Sequence, residues 1–462
     1  MALKLFNTVS GKKERFEPLE EGKIKMYVCG MTVYDYCHIG HARVMVGFDV
    51  ITRFLRHIGY DVTYIRNITD VDDKIFNRAN ENGESFTDLT NRFIIAMHED
   101  EGALGVLSPD QEPRATAHMG DIIAMTGTLI EKGYAYAAVN GDVYYRVKKF
   151  DGYGKLSKKN VDDLQSGARI GIEAHKEDPL DFALWKAAKE GEAYWDSPWG
   201  RGRPGWHIEC SAMSTCCLGP TFDIHGGGPD LKFPHHENEI AQSEAATGEK
   251  YVNYWMHAGA IRVGKDKMSK SLGNFKTIRE ELKTYSGETI RYFLISSHYR
   301  SQVEYSPVSL NEVQSALDRF YQALRGIAIT DLHTIDDNYQ MRFDSAMCDD
   351  FNTPEALAVM FDLVKALNSS QIDVEKSVLA ATLVRLGGIL GILQQDPEVY
   401  FKSTQNNVDG AVSEEEIEAM ITERASARAK KDWAESDRIR DKLMAQGVVL
   451  DDAKGVTSWR RL

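Results

Sequence analysis

Between Ile24 and Ile68 the chain carries the pattern that most restricts its fold. Ile24 to Cys29 is a short apolar run ending at Gly30. Val44, Phe48, Ile51, Leu55 and Ile58 then recur at spacings of three and four, which puts them on one stripe of a helix. Gly59 stands where a helix ends in a glycine, and Val62 to Ile68 forms a second apolar run. Strand, helix and strand within about 45 residues make a βαβ unit, whose two strands lie parallel. Parallel sheets are covered by helices on both faces and take ligands at the carboxyl ends of their strands. The segment from Cys29 to His41 is therefore placed at a binding crevice.

The pattern changes from about residue 115 to 200. Tyr134 to Val147 holds Asn140-Gly141 between aromatic and apolar flanks, which predicts a hairpin with a type I′ turn. Lysine- and glycine-rich residues 148–160 read as a loop, and the whole stretch reads as an insertion into the parallel domain. A second parallel half is expected from Gly205 to about Ala260. Beyond residue 305 the chain reads as helical. Ser309 with Glu312 suggests a capping box, and Leu310, Val313, Leu317, Phe320 and Leu324 form one stripe. Thr353-Pro354 reads as an N-cap and first-turn pair. Thr404 to Gly410 is linker-like, and Ser413 with Glu416 opens a last helical module that ends near Gly447.

Composition excludes several classes. Hydrophobic residues make up 43% of the 462, which rules out disorder. A net charge of −14 excludes a wholly basic nucleic-acid coat, so any RNA contact must be local. Six cysteines, at 29, 37, 210, 216, 217 and 348, are too scattered for a disulfide scaffold. Met1 to Phe16 has no apolar core of signal-peptide length. Val378 to Leu393, the longest apolar stretch, is broken by Arg385 and three glycines and predicts a core-facing helix. These features lead us to expect a soluble cytoplasmic protein.

Three groups of residues carry chemistry. His38-Ile39-Gly40-His41 sits where the helix begins. Free amides there attract phosphate, two imidazoles add donors, and a small Gly40 lets a nucleotide approach. Lys267-Met268-Ser269-Lys270-Ser271 places two lysines on one loop, where they can clamp a triphosphate as point charges. The third group is scattered: Cys29, Cys210, and His235-His236 with Glu239. Two thiols, an imidazole and a carboxylate suit a four-coordinate zinc, and spacing leaves His235 and His236 as alternatives. Two further motifs are decoys. Gly259 to Asp266 lacks the Ser or Thr that a P-loop needs after Lys265, and Gly200 to Gly205 holds a proline and follows no apolar strand.

The first two motifs spell HIGH and KMSKS, in that order and about 230 residues apart, and so resemble the signatures of class I aminoacyl-tRNA synthetases. Val28 to Asp35, Gly205 to Ser211 and Phe233 to Glu239 resemble segments of the cysteinyl-tRNA synthetase family. The resemblance implies an α/β fold: a Rossmann-like parallel-sheet catalytic domain with an inserted connective domain, then a helical bundle and a small anticodon-binding module. It divides the chain into residues 1–115 and 200–260 (catalytic), 116–199 (connective), 261–306 (KMSKS junction), 307–403 (bundle) and 404–462 (anticodon module). It implies zinc on Cys29, Cys210, His235 and Glu239. It places His38, His41, Lys267 and Lys270 in catalysis, and Gly40, Gly226, Gly227 and Asp230 with them at ATP, which arrives with Mg²⁺. Thr69, Trp206 and His225 would contact the substrate.

From Glu423 to Leu462 there are ten Lys/Arg against seven Asp/Glu, a local balance of +3. Trp433 and Trp459 are candidates for stacking on unpaired bases. The resemblance adds Arg428, Asp437 and Arg440 as tRNA contacts, although Ala453 and Val456 depart from its pattern. The expected partners are tRNA(Cys), ATP and L-cysteine, with no membrane, and the chain is expected to be a monomer. The expected activity is formation of cysteinyl-adenylate and transfer to the tRNA 3′-terminal ribose. A cysteine ligase acting on a small amino-sugar would share the core but lack the last module. A non-catalytic RNA-binding protein would not need both signatures.

Overall fold

The structure, a computed structural model, describes residues 2–160, 175–189, 192–264, 266–267, 275–402, 412–453 and 456–461. It separates into two compact units. The first comprises residues 1–278, 294–306 and 341–357, and the second residues 279–293, 307–340 and 358–462.

The first unit opens with an antiparallel pair, β1 (Lys4–Asn7) and β2 (Lys12–Arg15). The predicted βαβ unit follows as β3 (Lys23–Val28), α1 (Ile39–His57) and β4 (Asp61–Arg66). The two strands pair in parallel with Lys23 opposite Asp61 and Val28 opposite Arg66. Gly59 follows the helix with φ +96°, as its predicted position requires. Next come α2 (Asp73–Asn82), α3 (Phe86–Ala103) and α4 (Met119–Glu131).

The inserted stretch forms its own antiparallel sheet of β5 (Ala135–Ala137), β6 (Val143–Tyr145), β7 (Phe182–Ala187) and β8 (Gly202–Pro204). The β5–β6 hairpin is where Asn140-Gly141 predicted it, but the turn is different. Asn140 keeps a negative φ, Gly141 takes +89°, and the Gly141 N–H donates to Ala138 O. That is a three-residue loop with one left-handed glycine, not a type I′ turn.

The parallel pattern resumes with α5 (Trp206–Leu218), β9 (Phe222–Gly227), α6 (Glu237–Thr247) and β10 (Val252–His257). The sheet runs β10-β9-β3-β4 with every pair parallel, so α/β is the correct class. Every residue of β9 is buried, as a central strand covered on both faces should be. The Asp223 carboxylate at its start accepts from the N–H groups of Leu19 (2.7 Å) and Lys25 (2.8 Å). One apolar core joins Tyr27 of β3 to Ile208 and Met213 of α5, Ile240 of α6 and Trp255 of β10. Beyond the sheet, β11 (Ile261–Val263) pairs with β12 (Asp266–Lys267) and with β13 (Val303–Glu304).

The second unit is mainly helical. The helix Pro307–Leu324 starts at Pro307, so Ser309 lies inside its first turn and does not cap it. The helix Thr353–Ser369, whose first five residues belong to the first unit, starts one residue earlier than predicted, with Asn352 Oδ1 accepting from Glu355 N–H at 3.3 Å. Val378 to Leu390 falls within the helix Asp373–Leu390, and no helix is long and apolar enough to cross a membrane among the described residues. The expected linker, Thr404 to Gly410, lies outside the described residues. Ser413 and Glu416 form the predicted capping box of the helix Glu414–Ala429. The helix Trp433–Ala445 follows, and then a hairpin of Val448–Ala453 with Val456–Arg461 that periodicity did not suggest.

Candidate active site and metal-binding cluster

The carboxyl ends of the parallel strands open on a cavity of about 550 Å³, a size suited to a nucleotide and a small substrate. Its walls include Cys29, Gly30 and Thr32 after β3, His38, Gly40, His41 and Val44 at the start of α1, Trp206 at the start of α5, and Gly228 to Leu231 after β9.

The two signature histidines are built by local geometry. His38 is the N-cap of α1, and its Nδ1 accepts from His41 N–H at 3.2 Å. His41 Nδ1 accepts from His38 N–H, also at 3.2 Å, which makes a capping box from two imidazoles. The rings stack with centroids 3.7 Å apart and planes 12° from parallel. Because each Nδ1 is an acceptor, the proton of each neutral ring sits on Nε2. Gly40 is required by this stack, since a Cβ there would lie 2.8 Å from the His38 ring. Lys267 lies on β12 opposite Arg262, and Met268 to Asn274, with Lys270, lie outside the described residues.

Where Cys29 lines the cavity the four scattered candidates meet. Cys29 Sγ lies 3.6 Å from Cys210 Sγ and 3.4 Å from Glu239 Oε1, and His235 Nε2 lies 3.1 Å from that same oxygen. All four side chains are buried, and their ligand atoms lie within 4.8 Å of one another. For tetrahedral zinc at ordinary bond lengths, paired sulfurs would sit about 3.8 Å apart, and a nitrogen and an oxygen about 3.4 Å apart. The cluster therefore fits a metal of that size without rearrangement.

Its surroundings orient the donors. His207 Nδ1 lies 2.9 Å from His235 Nδ1, leaving His235 Nε2 to face the cluster. Glu239 Oε2 is held by His225 Nε2 at 2.8 Å and by the Tyr251 hydroxyl at 3.1 Å. Such outer contacts fix the orientation and basicity of a ligand. Burial pushes His235 and His207 down to about 3, so both rings are neutral and can bind metal through nitrogen. Burial also pushes the Cys29 thiol well up, so without a metal it keeps its proton. A second donor set, Cys29, His225, His236 and Glu239, shares two members with the first. It holds only one thiol, and His225 Nε2 is already engaged by Glu239.

The other predicted positions differ in their access to the cavity. Trp206 is 39% exposed and stacks on His235 with centroids 4.2 Å apart, so it covers the cluster from the cavity side. Thr69 is buried, and its Oγ1 accepts from Asn67 at 3.3 Å. His225 is fully buried, is not among the residues that line the cavity, and supports Glu239. Gly226 and Gly227 face the interior, where a Cβ would meet the Phe48 ring at 2.2 Å and His236 at 2.8 Å. The cavity wall after β9 begins at Gly228, and of Gly226, Gly227 and Asp230 it is Asp230 that lines the cavity.

Sequence reasoning missed Tyr251 and named His207 only as part of a motif. His207 lies three residues before Cys210 on α5, a spacing that could have placed it on the same face.

In the last module Trp433 is 59% exposed, whereas Trp459 is buried and its Nε1 donates to Glu418 at 2.7 Å. Trp459 packs with Ile417, Ile439, Leu443 and Val448, so it cannot stack on a base. Arg428 pairs with Asp452 at 2.9 Å, and Arg440 with Asp437 at 3.0 Å.

Residues 15–315 match the family described as "tRNA synthetases class I (C) catalytic domain" and residues 342–394 a "DALR domain". A solved Mycobacterium tuberculosis methionyl-tRNA synthetase in complex with methionyl-adenylate has a similar fold. Its TM-score is 0.57 at 14% identity, over 80% of this chain and 89% of that one. Sheet, crevice and family match together define a class I aminoacyl-tRNA synthetase. Residues 413–460 match the "Cysteinyl-tRNA ligase anticodon binding domain". The Cysteine--tRNA ligases of Azotobacter vinelandii and Stutzerimonas stutzeri are 63% and 62% identical, each over 100% of this chain and 99% of the relative. The chain belongs to the cysteinyl-tRNA synthetase family. Neither the amino-sugar ligase nor the non-catalytic reading is favoured by a match that extends through the last module.

Proposed function

We propose that this chain joins L-cysteine to tRNA(Cys) in two steps at the cavity above the parallel sheet. The cysteine carboxylate attacks the α-phosphorus of ATP, pyrophosphate leaves, and the tRNA 3′-terminal ribose then takes the cysteinyl group from AMP. The observation that carries this reading is the buried meeting of Cys29, Cys210, His235 and Glu239 beside the stacked pair His38 and His41.

Zinc held by Cys29, Cys210, His235 and Glu239 would supply a centre that binds thiolate far better than hydroxyl, and so would favour cysteine over serine. His207, His225 and Tyr251 hold the donors in orientation. Trp206 walls the substrate against that cluster. His38 and His41 present Nε2–H donors to the charge that grows on the triphosphate, and Asp230 accepts from the ribose. Lys267 and Lys270 clamp the departing pyrophosphate, and ATP enters as its Mg²⁺ complex. Thr69 acts through the chain beneath the pocket, where its N–H donates to Met31 O.

Residues 1–115 and 200–260 are assigned to catalysis, 116–199 to the connective insertion, 261–306 to the KMSKS junction, 307–403 to the bundle and 404–462 to anticodon binding. In that last part Arg428, Asp437 and Arg440 line the RNA face beside the exposed Trp433. The protein acts as a cytoplasmic monomer.

The test is the amino-acid dependence of ATP–pyrophosphate exchange. Exchange should require cysteine, and serine should not replace it at matched concentration. Exchange driven equally by serine or another amino acid would overturn the assignment.

A further inference from the structure

A second group of metal-ligating side chains lies outside the cavity, on the surface of the first unit. His118 closes a 3₁₀ turn (Ala115–His118) that leads into α4, Asp121 stands in the first turn of α4, and Cys216 stands in the last turns of α5. Helix α5 packs against both the turn and α4, which brings the three side chains together. His118 Nδ1 lies 2.8 Å from Asp121 Oδ2, and one ligand atom from each of the three lies within 4.8 Å of the others.

We infer that His118, Asp121 and Cys216 form a divalent-metal site of the zinc class, separate from the cluster at Cys29. One sulfur, one imidazole nitrogen and one carboxylate oxygen make a three-ligand set that leaves a fourth, solvent-side position for water. The donors span soft to hard, a mixture that suits Zn²⁺ better than Mg²⁺ or Ca²⁺, which take oxygen alone.

The structural alternatives account for the cluster less well. His118 precedes α4 directly, yet its side chain makes no capping hydrogen bond to the helix. Among the described residues Asp121 forms an ion pair only with His118, and no lysine or arginine neutralises it. A third potential cluster, His98, Glu101 and Glu112, shows the contrast. There the Arg66 guanidinium lies 2.5 Å from both carboxylates and already supplies the cation. At His118 no lysine or arginine pairs with Asp121 among the described residues, and the Cys216 thiol is exposed.

The test uses the full-length protein, equilibrated with excess Zn²⁺ and desalted, with bound zinc measured by atomic emission. The wild type should hold one zinc per chain more than Cys216→Ser and more than His118→Ala, whatever the occupancy of the Cys29 cluster. Zn²⁺ should slow iodoacetamide labelling of Cys216 by about tenfold or more, because a coordinated sulfur is no longer the free nucleophile, and a chelator should restore the rate. Asp121→Asn should weaken this protection. Cysteine-dependent pyrophosphate exchange by the variants should match the wild type, which reports an intact fold and a cavity untouched by the substitutions. Equal zinc content in wild type and variants, or labelling of Cys216 at one rate with and without Zn²⁺, would overturn the inference.

Discussion

Glu239 and Asp452 each gather several polar side chains, one in the interior and the other at the surface. Glu239 is fully buried, and its ion-pair partners among the described residues are all histidines. Asp452 keeps 38% of its side chain exposed and meets Arg424 at 2.8 Å, Arg428 at 2.9 Å and Thr457 at 2.5 Å. Arginine stays charged in any protein environment, so Asp452 has a permanent partner. Histidine does not. Burial drives His235 neutral, which leaves the Glu239 carboxylate among groups that can donate electrons but supply no fixed positive charge. Burying a carboxylate that way costs several kcal/mol unless something repays it. A dication bound between the donors would do so, whereas nothing needs to bind at Asp452. The interior cluster therefore reads as a site, and the surface cluster reads as a fastener for the terminal hairpin.

The sharpest way to break this contrast is to remove a donor from the interior. Cys210→Ser and His235→Ala should each lose the metal on purification, measured by atomic emission. Discrimination between cysteine and serine in pyrophosphate exchange should collapse from on the order of 10⁴, the scale that a site demanding one specific bonding group can reach. ATP affinity should change little, because the triphosphate contacts proposed above lie at His38 and His41. A metal-free wild type that still selected cysteine would sink this account of the interior cluster.

Lys270→Ala separates the interior donors from the nucleotide end. Loss of one stabilising group for the leaving pyrophosphate should slow activation by on the order of 10²–10³. Metal content and cysteine affinity should stay at wild-type values, measured by atomic emission and by active-site titration. His207→Ala probes one step out from the donors. It leaves all four in place but frees His235 Nδ1, and such outer contacts are worth about 10–100-fold in metal affinity. A chelator-competition titration that found no weakening would show that Trp206 stacking alone holds the ring.

The two ends of the cavity, at His38 and at Glu239, were unequally legible in the sequence. HIGH was readable as a string because its geometry is local: His38 and His41 are three apart and cap one helix. The βαβ unit was readable because its period changes from strand to helix and back within one stretch. The Glu239 cluster draws on β3, α5, β9, α6 and the segment before β10, over more than 200 residues of chain. No spacing rule joins Cys29 to Tyr251, so only the resemblance assembled the donors, and it gave His225 to the substrate, whereas the ring is buried against Glu239. Gly226 and Gly227 look like a nucleotide loop until Phe48 and His236 are seen to fill the space beside them. Trp459 looked like Trp433 in composition, and a hairpin invisible to helical periodicity turned it inward.

That last difference gives a smaller, paired test in the terminal module. Trp433→Ala removes an exposed ring and should leave the fold intact. It should weaken tRNA binding by on the order of tenfold, the low end of one base stack. Trp459→Ala empties a packed position and should destabilise the module by about 3–5 kcal/mol. Filter binding and hydrogen exchange of Val448 to Arg461, each run on both proteins, distinguish the two. Unchanged tRNA affinity in Trp433→Ala would remove this ring from the RNA face.

The smallest effect belongs to Asp452. Hydrogen bonds from Arg424 and Thr457 hold its carboxyl well below the ordinary range, and the nearby charges of Arg424 and Arg428 add to this. A carboxyl whose folded value is depressed contributes stability above its unfolded value of about 3.9, and that stability is lost as pH falls below it. Because more than a third of the side chain meets solvent, water and salt screen the pair and the contribution is modest. Protection of the hairpin amides in the full-length protein should be constant from neutral pH to about pH 5 and should fall below about pH 4. Asp452→Asn lacks the titrating group, so its protection should start lower and stay flat over the same window. Added salt should narrow the gap between the two proteins at neutral pH. A gap that persisted unchanged to pH 3 would mean that the side-chain shape at 452, and not its charge, ties the hairpin to the helix that carries Arg424 and Arg428.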